Sequence, residues 1–111
     1  MKLYGACIVT HNIEKMVGFY TKLFGYGPTI DGPDHRFPAH QLIVFKLNDT
    51  DAPSTKNAAL IYQADDVDLE FARLSALELA SAPPTNKPWG VRSFGINDPD
   101  GNSIAFFTDL K

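Results

Sequence analysis

Few side chains in this chain are equipped for acid–base, nucleophilic or metal chemistry: three histidines, one cysteine and an adjacent pair of aspartates stand out. His35 and His40 are the pair best able to share a metal ion, because imidazole nitrogens ligate most divalent metals. In an extended segment their odd spacing sets them on opposite faces, so they converge only through a turn at Pro38. No Cys, Asp or Glu lies between them to complete a site. His11, beside the start of a helix, reads as a solvated turn residue. Cys7 needs a neighbouring base to act as a nucleophile. No His or Asp stands at a motif spacing that would supply one, and a small core residue is its simpler role. Asp65 and Asp66 have the makings of an acid–base pair, but at the head of a helix they serve as cap and dipole partners.

The elements that would carry these residues are legible as a repeat. Residues 2–10 alternate and branch as a strand does. Asn12 stands at a helix N-cap with Glu14 in the first turn, and Ile13, Met16, Val17, Tyr20, Leu23 and Phe24 form the apolar stripe. Gly25 ends the helix and Pro28 prevents its resumption. Residues 28–40 can hold only short strands and turns, residues 41–47 form a stronger strand, and residues 48–57 read as a linker. The pattern then begins again, with a strand over 58–64, Asp66 as the second cap, and Val67, Phe71, Leu74 and Leu77 on one helical face. Residues 82–88, rich in proline, break regular structure. Strands over 91–97 and 103–108 are joined by Asp98-Pro99-Asp100-Gly101-Asn102, a tight-hairpin signal.

Sliding the chain on itself so that Asn12 falls on Asp66 also places Ile13 on Val67, Val17 on Phe71, Tyr20 on Leu74 and Leu23 on Leu77. Neither half alone has core enough for comfort. The expected fold class is therefore α+β: two βαβββ modules in one chain, their sheets sharing a concave mixed surface. Module one covers about 1–50, the linker about 48–57 and module two about 57–111, together a single domain. The alternative is an α+β sandwich without the repeat.

A hydrophobic content of 44% with 21% charged residues fits a globular protein rather than a disordered or fibrous one. The net charge of −3, with lysines and arginines scattered, gives no expectation of nucleic-acid binding. No apolar run approaches the roughly 18–20 residues that cross a bilayer, so no membrane partner is expected. The single cysteine excludes an intrachain disulfide framework, and Met1-Lys2-Leu3-Tyr4 opens with no signal-peptide pattern; a cytoplasmic location is the expectation.

Two motifs carry a resemblance. Phe19-Tyr20-Thr21-Lys22-Leu23-Phe24-Gly25 at the end of the first helix and Asp98-Pro99-Asp100-Gly101-Asn102-Ser103-Ile104 at the last hairpin resemble signatures of the vicinal-oxygen-chelate (VOC) superfamily, which spans glyoxalases, bleomycin-resistance proteins and extradiol dioxygenases. Pro88-Trp89-Gly90-Val91-Arg92-Ser93-Phe94 is similar to a run in its bleomycin-resistance branch, with Ser93 where that branch carries an acid. Asn57-Ala58-Ala59-Leu60 and Val67-Asp68-Leu69 also fit that branch, whereas residues 26–51 give no match.

Enzymes of the superfamily hold a divalent metal with His and Glu side chains from facing strands, leaving positions open for substrate. Carried over residue by residue, the first-strand histidine falls on Gly5, its counterpart in the second module on Ala59, and the glutamate after the last hairpin on Ala105. The remaining ligand would lie within residues 41–47, which contain no acidic residue. The resemblance thus implies a site without metal or other cofactor. Small side chains there leave room for a cup, whose walls by strand alternation include Cys7, Ile61 and Phe107. Tyr62, Trp89, Arg92 and Phe94 join the candidate ligand-binding set as stacking groups and an anion clamp, each with a structural alternative: core packing for Tyr62 and Phe94, a hydrophobic plug for Trp89, an exposed strand position for Arg92. The expected partner is a small molecule, planar or cationic, bound antibiotic-fashion by a homodimer with grooves between subunits. Two alternatives stay open. One is a lactoylglutathione-lyase-like or dioxygenase-like enzyme, with a displaced metal or none. The other is a non-catalytic dimeric interaction module whose cup is filled.

Overall fold

The structure, a computed structural model, describes residues 1, 5–31, 34–37, 43–47 and 53–110. The chain divides into two compact units, Met1–Ala58 and Ala59–Lys111, each built as βαβββ. In the first, β1 (Ala6–Thr10) leads into α1 (Ile13–Phe24), and β2 (Thr29–Asp31), β3 (Asp34–Phe37) and β4 (Ile43–Leu47) follow. The sheet order is β1-β4-β3-β2, with β1 and β4 parallel and the other pairs antiparallel. A parallel pair needs a long crossover, and α1 with the β2–β3 hairpin supplies it.

The helix starts because the Asn12 side chain accepts the Lys15 N–H at 3.1 Å, and it ends at Gly25, whose φ is 86°. Met16, Tyr20 and Leu23 bury its apolar stripe against Ile8, Phe37 and Phe45. Tyr20 lies 4.5 Å from Phe45 and Phe24 5.0 Å from Phe37, ring centre to ring centre. Each such side chain contributes about 1.5–3 kcal/mol by leaving water. The outer edge of β1 is tied by the segment that precedes the second unit. The Thr55 N–H donates to the Val9 carbonyl at 2.7 Å, its hydroxyl accepts the Val9 N–H, and Ser54 Oγ accepts the His11 N–H. An edge strand closed in this way is a poor template for stray pairing.

The second unit repeats the plan: β5 (Ala59–Gln63), α2 (Val67–Ala76), β6 (Thr85–Asn86), β7 (Val91–Asn97) and β8 (Ser103–Asp109), in sheet order β5-β8-β7-β6. Asp66 caps α2 by accepting the Asp68 and Leu69 N–H groups, and Thr108 Oγ1 holds the helix entry by accepting the Val67 N–H and donating to the Ala64 carbonyl. Val67 and Leu74 are buried, and Phe71 meets Phe94 edge-on at 5.4 Å. Two expectations change here. Leu77 is the helix C-cap and 39% exposed rather than part of the apolar stripe, because the helix stops at Ala76. The proline-rich stretch contains β6, whose two residues pair with Ser93 and Arg92.

The β6–β7 and β7–β8 connections are the same turn built twice. In Lys87-Pro88-Trp89-Gly90 the glycine N–H returns to the Lys87 carbonyl at 3.1 Å, and in Asp98-Pro99-Asp100-Gly101 it returns to Asp98 at 3.0 Å. Proline presets the second position, and Gly90 and Gly101 adopt φ of 89° and 93°, which side chains disfavour. Asp98 adds a staple that Lys87 cannot. Its Oδ1 accepts the N–H groups of Asp100 and Asn102, and its Oδ2 accepts the Asn102 amide. Among the described residues no helix is long and apolar enough to cross a membrane.

Candidate ligand-binding face

Strand alternation sorts the second sheet into two faces. Tyr62, Arg92, Phe94, Ile96, Ile104 and Phe106 lie on the side that α2 covers, with Phe106 stacked between Tyr62 at 5.8 Å and Phe94 at 5.0 Å. The other face is open. Pairing register lays it out in rows: Ala59, Ser103 and Asn97; then Ile61, Ala105 and Gly95; then Gln63, Phe107 and Ser93. With strands about 4.8 Å apart, the middle row is a trough whose floor is one methyl group and one hydrogen. Ile61, 71% exposed, stands at one end, and half-buried Phe107 flanks it. A Cβ at Gly95 would meet only the Ile104 carbonyl, at an ordinary 3.6 Å. The trough is therefore not a packing necessity.

The sequence-derived set divides accordingly. Ala59, Ile61, Ala105 and Phe107 share the open face of the second sheet. Tyr62 and Phe94 do not, because both rings are packed in the α2-facing aromatic stack. Arg92 is on that side too: its guanidinium makes a forked contact with Asp68 in the first turn of α2, at 3.0 to 3.2 Å, and donates to Asn86. That hydrogen bond is the main reason the Asp68 carboxyl is held below its ordinary value and the Arg92 guanidinium above its own. Trp89 sits at the tip of the β6–β7 turn, 73% exposed.

In the first unit, Gly5 lies just before β1 and Cys7 on the face turned away from α1. Cys7 is exposed, which corrects its reading as a core residue. It shares that face with Arg36 and Lys46. His35 faces α1, paired with buried Phe45, and its Nδ1 is enclosed without a hydrogen-bond partner among the described residues. His40 lies outside the described residues, as do residues 2–4 and 41–42 of the expected strands. His11 is exposed, and Asp66 caps α2 while Asp65 stays exposed beside it. Gly95, Gln63 and Asp109 were missed as members of the open face, although extending the alternation Ala59, Ile61 and Ala105, Phe107 by one step reaches the last two.

The positions onto which the resemblance carries the metal ligands have no donor atom: Gly5, Ala59 and Ala105 have only hydrogen or methyl side chains, and β4 holds no carboxylate. Among the described residues no three His, Cys, Asp or Glu side chains converge. The donor set does not fit a chelated metal at those positions.

Comparison with known proteins places this geometry. The model of the Glyoxalase/Bleomycin resistance protein/Dioxygenase superfamily matches residues 4–106. No curated protein matches the sequence significantly. Among solved structures, a glyoxalase/bleomycin resistance protein/dioxygenase from Nocardioides is similar at TM-score 0.83 and 22% identity, over 100% of this chain and 85% of that one. TnmS3, an antibiotic binding protein from Streptomyces sp. CB03234, is similar at 0.76 and 27% identity, over 98% and 96%. A lactoylglutathione lyase from Agrobacterium tumefaciens is similar at 0.72 and 22%, over 96% and 92%.

Proposed function

Because the chain belongs to the glyoxalase/bleomycin resistance protein/dioxygenase superfamily, we propose that it works as one of its binding proteins, holding a small planar molecule of antibiotic type without a metal. One observation carries this reading. Ala59 and Ala105, onto which the resemblance carries two metal ligands, are methyl groups on an exposed sheet face, and Ala105 shares its row with Gly95. Chelation chemistry has lost its donors there, while the space beside them suits a flat apolar ligand. The 27% identity to TnmS3 over nearly the whole chain supports the antibiotic-type ligand. A homodimer, as the resemblance implies, is part of the proposal, and sedimentation equilibrium at two concentrations tests it.

Binding is tested with a panel of planar antibiotics, read by calorimetry and by the fluorescence of Trp89, the only tryptophan. Saturable binding is expected for at least one member, at one site per chain. Gly95→Leu fills the trough at a position where a side chain has room. It is expected to weaken that binding at least tenfold, with the unfolding temperature preserved. No heat with any member of the panel, or full binding by Gly95→Leu, overturns the reading.

A further inference from the structure

The open face of the second sheet ends on a carboxylate that, among the described residues, pairs with no cation. Most other acids of this unit have work within it: Asp66 caps α2, Asp68 meets Arg92, Glu70 pairs with Arg73, and Asp98 knits its turn. Asp109 closes β8 on the same face as Ala105 and Phe107. Its Oδ2 accepts the Gln63 amide at 3.3 Å, and Gln63 is itself in register with Phe107. Among the described residues, no Lys or Arg lies within ion-pair distance of Asp109, and its Oδ1 has no hydrogen-bond partner. An oriented, unneutralised carboxylate at the end of an apolar trough is electrostatically complementary to one kind of ligand group, a cation.

We propose that Asp109, positioned by Gln63, anchors a positive charge on the bound molecule, so that the ligand class is an aromatic cation. The ring system lies over Ala105 and Gly95 between Ile61 and Phe107, and its amine or amidinium group reaches Asp109. Ala105 and Asp109 are separated along β8 by roughly 13 Å at about 3.3 Å per residue. That length calls for fused rings with a short basic arm rather than a single ring. Phe107 lies between the two ends, where its face can also attract the charge. This inference rests on the binding reading above and names the ligand that the same face selects.

The test uses two probes of one ring shape and arm length, 9-(3-aminopropyl)acridine, whose arm is cationic, and its N-acetyl derivative, which is neutral, both at mildly alkaline pH, where the ring itself is uncharged. Wild type is expected to bind the cation about two- to fivefold more tightly, the scale of an ion pair at an exposed site. Asp109→Asn removes that preference and leaves binding of the acetylated probe and the unfolding temperature as they were. Gln63→Leu, which frees the carboxylate without deleting it, reduces the preference in part. Equal wild-type affinity for the two probes, or an Asp109→Asn variant that weakens both alike, overturns the anchor and leaves the binding reading standing. No binding of either probe, together with no hit in the antibiotic panel, overturns both.

Discussion

At the scale of single residues, Arg92 shows how a strand side chain can be drawn into the fold instead of a site. The guanidinium fork matches a carboxylate in two contacts, and Asp68 in the first turn of α2 is placed to receive it. The hydrogen bond from Arg92 lowers the Asp68 carboxyl below its ordinary 3.8, against a smaller opposing effect of desolvation and with added Coulomb attraction. A folded-state value below the unfolded one stabilises the native state above pH 3.8, and that stability is lost as the pH falls through the lowered value. Asp68 is exposed and Arg92 partly so, and the effect is therefore modest and weakens with salt. Thermal melts from neutral to strongly acid pH are expected to show an acid-limb loss that Arg92→Met removes; an unchanged acid limb would show the pair to be inert. Residue type alone misled here. An arginine, a tyrosine and a phenylalanine near a suspected site invite a binding role, yet period-two alternation already separates Tyr62 from Ile61 and Phe94 from Gly95. The same alternation put Cys7 with Gly5. What it lacks is any statement of which face a helix will cover, and for that reason Cys7 was assigned to the core although it is exposed.

At the scale of elements, the two proline–glycine turns give an internal control. They share backbone bonds and glycine conformation but differ in what the first residue offers. Asp98, 5% exposed, satisfies two backbone N–H groups and the wholly buried Asn102 amide. Asp98→Ala strands those donors and is expected to cost on the order of 2–4 kcal/mol in denaturant unfolding. Trp89→Ala, at the tip of the sister turn, is expected to change stability by less than about 0.5 kcal/mol, since the ring is 73% exposed. A large loss from Trp89→Ala would mean that the ring packs on the fold and is no free contact for a ligand. Elements of this kind are the most legible part of the sequence. Capped helices and the Asp98 turn announce themselves through local hydrogen bonding that a few residues specify. β6 was illegible because two residues, Thr85 and Asn86, carry no periodicity and earn their pairing only from β7.

At the scale of the whole molecule, the repeat sets the fold, and the chemistry rests on the residues that differ between its two halves. Two βαβββ units with the same strand order reproduce the framework of a superfamily that includes metal enzymes, but a framework does not bring its ligands with it. The distinguishing measurement is the response to Ni, Zn, Fe(II), Mn and Mg of protein stripped of metal. A site filled at a hundred times its dissociation constant adds about 2.7 kcal/mol to stability. For a chain of this size that raises the melting temperature by roughly 10 °C or more, far above the scatter of a thermal scan. With Gly5, Ala59 and Ala105 at the positions the resemblance assigns to ligands, no such shift and no stoichiometric metal are expected from any of the five. A clear shift with one metal per chain would place the ligands elsewhere. His35 and His40 would then be the first residues to replace, and turnover of a glutathione hemithioacetal the first reaction to assay.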